Sequence, residues 1–145
     1  MMMTNSPYLL SDEDLLAATR RLIEKEQSLL CELLVHLGEI DERRLYLGRA
    51  YPSMFAFCVG ELGFSEDAAC NRITVARAGR RFPEVIEAVR SSRVHLSGLR
   101  LLAAHLTNDN HHDLLAEAAG KSKREIEEIA ARLLPKAPFG RTPSA

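Results

Sequence analysis

The sequence predicts an all-α domain, and three observations carry that expectation. No segment alternates apolar and polar residues with the period of two that a half-buried strand shows. Helix-start signals recur along the chain, each a Ser or Thr ahead of acidic residues or a helical run. The apolar residues are mostly Leu, Ile, Val and Ala; aromatics make up 6% and Trp is absent, the usual filling of a helical bundle. With 145 residues, 46% of them hydrophobic, the chain has material for one core. The expectation is six to eight helices in one domain over residues 11–134. A flexible N-terminus covers 1–10, and a Pro/Gly-rich tail or linker covers 135–145.

Ser11 caps the first helix, with Asp12, Glu13 and Asp14 at the positive end of its dipole. This helix should be the longest and should end near Leu37, stopped by Gly38. Its apolar residues come as pairs seven apart: Leu15 and Leu16, Leu22 and Ile23, Leu29 and Leu30. Leu33, Leu34 and Leu37 continue the stripe. A seven-residue repeat is the seam of a coiled coil. Two readings stay open: a core helix packed on its own domain, or a homodimer seam.

Asp41 to Leu47 reads as a short helix or a continuation after a break. Ser53 caps a short helix from Met54 to Leu62, ended by Gly63. Ser65 caps the next, with Glu66 and Asp67 in its first turn, running to about Arg80. Pro83 suits the first position of a helix through Arg90. Val94 to Leu106 is helical with an interruption near Ser97 and Gly98. Thr107 caps a helix through Ala119, closed by Gly120. Ser122 and Glu125 form a capping box for the last helix, Lys123 to Leu134, which Pro135 ends.

The net charge of -1 hides an asymmetry. Residues 1–71 hold 6 basic and 12 acidic groups; residues 72–100 hold 7 Arg and 2 Glu; residues 101–145 hold 6 of each sign. Arg suits bidentate contact with phosphate and guanine. The arginines could equally form an internal Arg–Glu lattice with the acidic first helix.

Residues 53–81 have the outline of a helix-turn-helix, with Gly63 in the turn. Ala69, Ile73 and Ala76 claim the buried face of its second helix. That leaves Asn71, Arg72, Arg77, Arg80 and Arg81 as the candidate contacts to double-stranded DNA. Glu66 and Asp67 oppose base reading, because they occupy the turn that usually enters the major groove. The arginines should therefore grip backbone more than bases.

No catalytic constellation is visible. His111 and His112 are neighbours, so on a helix they point about 100° apart, unlike metal ligands at i and i+4. No cofactor motif, phosphate loop or nucleophile elbow occurs. Cys31, Cys58 and Cys70 form no C-x-x-C and read as three reduced, buried thiols. No apolar run approaches the roughly 20 residues of a membrane span. The N-terminus lacks a signal-peptide pattern, so the cytoplasm is the expected compartment.

Several strings carry a family resemblance. They are RLYL from Arg44, YPSMFAFC from Tyr51, LGFSEDAACNRI from Leu62 and ARAGRRFP from Ala76. VHLSGLRLLAAHLT from Val94 and KSKREIEEIAARL from Lys121 complete the set. Together, over about Leu10 to Pro135, the chain resembles the helical N-terminal region of bacterial HNH-endonuclease-like proteins. In that family a linker leads to a ββα-metal nuclease domain; no residue here matches that motif, and the sequence stops in the linker. The resemblance implies a DNA-binding or DNA-positioning module that is not itself an enzyme. The alternative is a helical interaction or dimerisation module that works through the long leucine-rich helix.

Overall fold

A computed structural model describes residues 6–134. Those residues form seven α-helices and two single 3-10 turns, with no strand among them. The helices are α1 (Asp12–Arg43), α2 (Met54–Gly60), α3 (Glu66–Arg81), α4 (Pro83–Arg90), α5 (Leu96–Ala103), α6 (His111–Ala118) and α7 (Lys123–Leu133). The 3-10 turns span Pro7–Leu9, within the segment expected to be flexible, and Leu47–Arg49. The tail expected from residue 135 onward lies outside the described residues.

The caps form where the side chains can make them. The Oγ atoms of Ser11, Ser53 and Ser65 accept from the backbone N–H of Asp14, Ala56 and Ala68 at 3.0–3.1 Å. Ser122 and Glu125 close a reciprocal capping box at 3.2 and 2.8 Å. Ser122→Ala should cost about 1 kcal/mol of stability, readable as a shift in the urea midpoint. Gly63 and Gly120 hold φ of +76° and +75°, the left-handed values expected of turn glycines.

Several bounds differ from expectation: α2 ends at Gly60 rather than Leu62, α5 spans Leu96–Ala103 rather than Val94–Leu106, and the others have local reasons. Gly38 does not stop α1, which runs on to Arg43 and ends at Arg44 with φ 54°. Gly38 is instead buried where α3 crosses; a Cβ there would meet the Arg80 side chain at 3.3 Å. Asp41–Arg43 therefore continue α1 without the expected break. Gly98 does not interrupt α5 but lets α7 approach, since a Cβ would stand 2.6 Å from Ile126. The α6 helix begins at His111 rather than Thr107, because Thr107 and Asn110 first bond each other's backbones at 2.8 and 3.1 Å.

The core gathers on α3. α1, α2, α4 and α5 all pack against it, and α7 packs on α5. Ala69, Ile73 and Ala76 are buried as expected, joined by Val75, Ala78 and Gly79. From α1 only Cys31, Leu34, Leu37 and Gly38 are buried. Leu15, Leu22 and Leu29, expected in a core or an interface, are exposed within the single chain, and Leu33 is half-buried. Cys31 and Cys58 are buried, and that burial is the main cause of their raised thiol pKa values. Cys70, expected to be buried too, is only partly covered. No helix of the described residues is long and apolar enough to cross a membrane.

Candidate functional site

The structure divides the five candidate DNA contacts. Arg77 reaches back to α1, where its Nε and Nη2 donate to the two carboxylate oxygens of Asp41 at 2.7 and 3.0 Å. Arg80 donates from Nη1 to Glu39 at 2.8 Å, and its Nε stands 3.9 Å from Glu42. Glu39 also accepts from Arg43 at 2.7 Å. The Arg43 and Arg80 hydrogen bonds together hold its carboxyl below the usual range. The Asp41 hydrogen bonds push the Arg77 pKa upward, against the opposing effect of its desolvation. The internal Arg–acid lattice therefore exists, and it joins the last turns of α1 to the last turns of α3.

The other three candidates sit differently. Arg72 is half-buried, with its guanidinium 4.7 Å from the centre of the Phe64 ring. Its Nε is buried and has no hydrogen-bond partner among the described residues. Asn71 accepts on Oδ1 from Arg100 Nη1 at 3.1 Å. Reading adenine would need both that oxygen and the amide nitrogen. Arg81 is exposed, with its guanidinium against the neighbouring Phe82 ring at 4.7 Å.

Packing also limits α3 as a reading helix. A recognition helix must offer a free face to the major groove. α3 is instead flanked by α1, α2, α4 and α5, and Ser65 starts it with Glu66 and Asp67 in the first turn. What remains cationic is a cleft of about 280 Å³ between α3 and α5, lined by Arg77, Arg81 and Arg100. Arg81 and Arg100 hold no carboxylate among the described residues. Arg100 was not among the candidates, although it closes the basic run; only the fold places α5 beside α3.

Arg77→Ala should lower stability by about 1 kcal/mol, since its partner Asp41 is largely covered while Arg77 itself is exposed. A melting curve reads this.

The histidine cluster has a structural use. His111 is mostly covered, stacks on Phe82 at 4.5 Å and places Nε2 3.3 Å from Glu84. It thereby ties α6 to the start of α4. Desolvation pulls the His111 pKa down, but the Thr107 carbonyl and Glu84 outweigh it, and the net direction is upward. The protonated ring is thus favoured in the folded state. Its contribution should be complete below the ordinary histidine value and should fade as pH rises through the raised one. An NMR titration should place His111 above that ordinary value, and Glu84→Gln should bring it down. No group of three His, Cys, Asp or Glu among the described residues could hold a metal ion.

The second candidate surface is the N-terminal half of α1. Asp12 to Glu26 are exposed except for Ala17 and Ala18, and this stretch is about 22 Å of helix. The first side chain of α1 to bond another element is Gln27, whose Nε2 donates to the Val89 carbonyl at 2.9 Å. Leu15, Leu16, Leu22, Ile23 and Leu29 are all exposed, with Leu22 and Leu29 retaining 64% of their surface. At 100° per residue these five fall on one side of the helix. Comparison with family models, with curated proteins and with solved structures finds no match to this chain.

Proposed function

We propose that this protein is a helical interaction module, and that its working surface is the apolar stripe on the projecting half of α1. The observation that carries this reading is the exposure of Leu15, Leu16, Leu22, Ile23 and Leu29 on one side of α1, whose residues from Asp12 to Glu26 are exposed except for Ala17 and Ala18. Soluble monomers seldom leave so contiguous an apolar patch in water. Burying each of these side chains contributes roughly 1.5–3 kcal/mol, and a partner helix is the natural cover for a seven-residue repeat. The body of the domain, clamped by Asp41–Arg77 and Glu39–Arg80, is the base from which that helix projects.

Thermal unfolding in dilute solution tests the reading. Leu22→Lys combined with Leu29→Lys should leave the melting temperature within about 2 °C of the parent, as surface changes do. A fall of roughly 8 °C or more would mean that the stripe packs inside its own chain, and the reading would fail.

A second reading is favoured by the cleft between α3 and α5. Arg81 and Arg100 stand there without acidic partners among the described residues, beside Arg77. We propose double-stranded DNA as the ligand of this narrower surface, in keeping with the resemblance to the helical region of HNH-endonuclease-like proteins. Contact would be to phosphates, not bases. Arg81→Ala and Arg100→Ala should each weaken binding for every sequence and reduce the salt slope by roughly one unit. Arg80→Ala, whose guanidinium is held by Glu39, should leave affinity unchanged.

A further inference from the structure

We infer that the partner of the α1 stripe is a second copy of this chain, lying antiparallel, with Arg72 receiving the acidic first turn of that copy. The inference rests on the interaction-module reading and adds the occupant and its direction. Asp12, Leu15, Thr19, Leu22, Glu26, Leu29 and Leu33 follow spacings of three and four along the stripe, with Leu16, Ile23 and Leu30 beside them. In heptad terms the leucines at 15, 22 and 29 fill one seam position. Asp12, Thr19, Glu26 and Leu33 fill the other.

Charge decides the direction. A parallel pair in register sets Asp12 against Asp12 and Glu26 against Glu26, like charges facing within the seam. An antiparallel pair centred near Leu22 brings the leucines of one copy to the leucines of the other. It moves Glu26 opposite the Thr19 region. It also carries the first turn, with Asp12, to residues 29–33 of the other copy. There a cleft of about 450 Å³ is lined by Glu26, Gln27, Leu29, Leu30, Leu33 and Arg72.

Arg72 is the second observation that points to a ligand. It forms no ion pair among the described residues, and its Nε is buried with no partner. Glu26 lines the same cleft yet makes no salt bridge to it. A buried donor without a partner is uncommon, and a carboxylate arriving from outside supplies one. Arg77 and Arg80, further along α3, have their acids within the chain; Arg72 has an approach from the stripe side.

Cross-linking between single cysteines tests the direction, in a chain carrying Cys70→Ser so that only buried native thiols remain. Leu15→Cys protein mixed with Leu29→Cys protein should join through a short bismaleimide into a mixed dimer. Leu15→Cys protein alone should join to itself at least tenfold less. Efficient self-joining of Leu15→Cys would show a parallel pair and overturn the inference. Light scattering supplies the second arm. Arg72→Glu and Asp12→Arg should each weaken self-association about tenfold or more, and their combination should recover most of it. Independent losses without recovery would overturn the role of Arg72. A folded parent that stays monomeric at every concentration would overturn the second copy. The interaction-module reading would then still stand or fall by the melting temperature of the Leu22→Lys, Leu29→Lys protein.

Discussion

Leu34→Ala should destabilise the protein by about 3 kcal/mol, within the roughly 2–5 kcal/mol that large-to-small core changes cost. Leu34 is fully buried between α1 and the rest of the body, and truncation leaves a cavity that close-packed neighbours fill only in part. A denaturant titration should show a lower midpoint with an unchanged slope. Leu29→Ala, five residues earlier on the same helix, should change the stability of the dilute protein by less than about 0.5 kcal/mol. The two leucines are equivalent in any propensity scale. Only their surroundings separate them: one keeps no exposed surface and the other keeps 64%. Equal losses at both positions would mean that the projecting half of α1 is packed against its own chain.

Leu22→Asp should abolish association while leaving the fold intact. In a pair of identical chains one substitution removes two leucines from the seam. At roughly 1.5–3 kcal/mol for each buried leucine, the dissociation constant should rise at least about 100-fold. Placing a charge in the seam adds to that loss. Light scattering should find the mass of one chain, and circular dichroism should find the helical signal of the parent. Loss of the helical signal would place Leu22 in the chain's own core and contradict the account.

Much of the fold is legible in the sequence because its signals are local. Ser11, Ser53, Ser65 and Ser122 cap helices through their own hydroxyls, three residues from the amide they satisfy. Gly63 takes the left-handed turn that its position suggests. Gly38 misleads for the same reason. A glycine near a helix end looks alike whether it terminates the helix or admits a neighbour, and the Arg80 side chain that decides the matter lies 42 residues away.

The candidate site was legible by composition and not by pairing. Seven arginines between 72 and 100 are visible as a basic segment. That Arg77 belongs to Asp41 and Arg80 to Glu39 depends on how α1 crosses α3, which no spacing along α3 records. The heptad pairs of α1 were visible as well. What could not be read is where packing stops: the repeat continues smoothly from Leu15 to Leu37, yet contact with the rest of the chain begins at Gln27 and Leu30, and full burial at Cys31. Toward the start of the helix the stripe has the same chemistry and stays exposed.

Backbone amide exchange along α1, followed at low and at high protein concentration, tests the central claim most directly. Exchange reports local opening, and a helix half without tertiary contacts opens easily. In dilute protein the amides from Leu16 to Glu26 should exchange quickly, while those of α3 from Ala69 to Gly79 stay protected. At high concentration the same α1 amides should slow at least tenfold, and those of α3 should not change. Protection of the α1 stretch equal to that of α3 in dilute protein, with no response to concentration, would contradict the account.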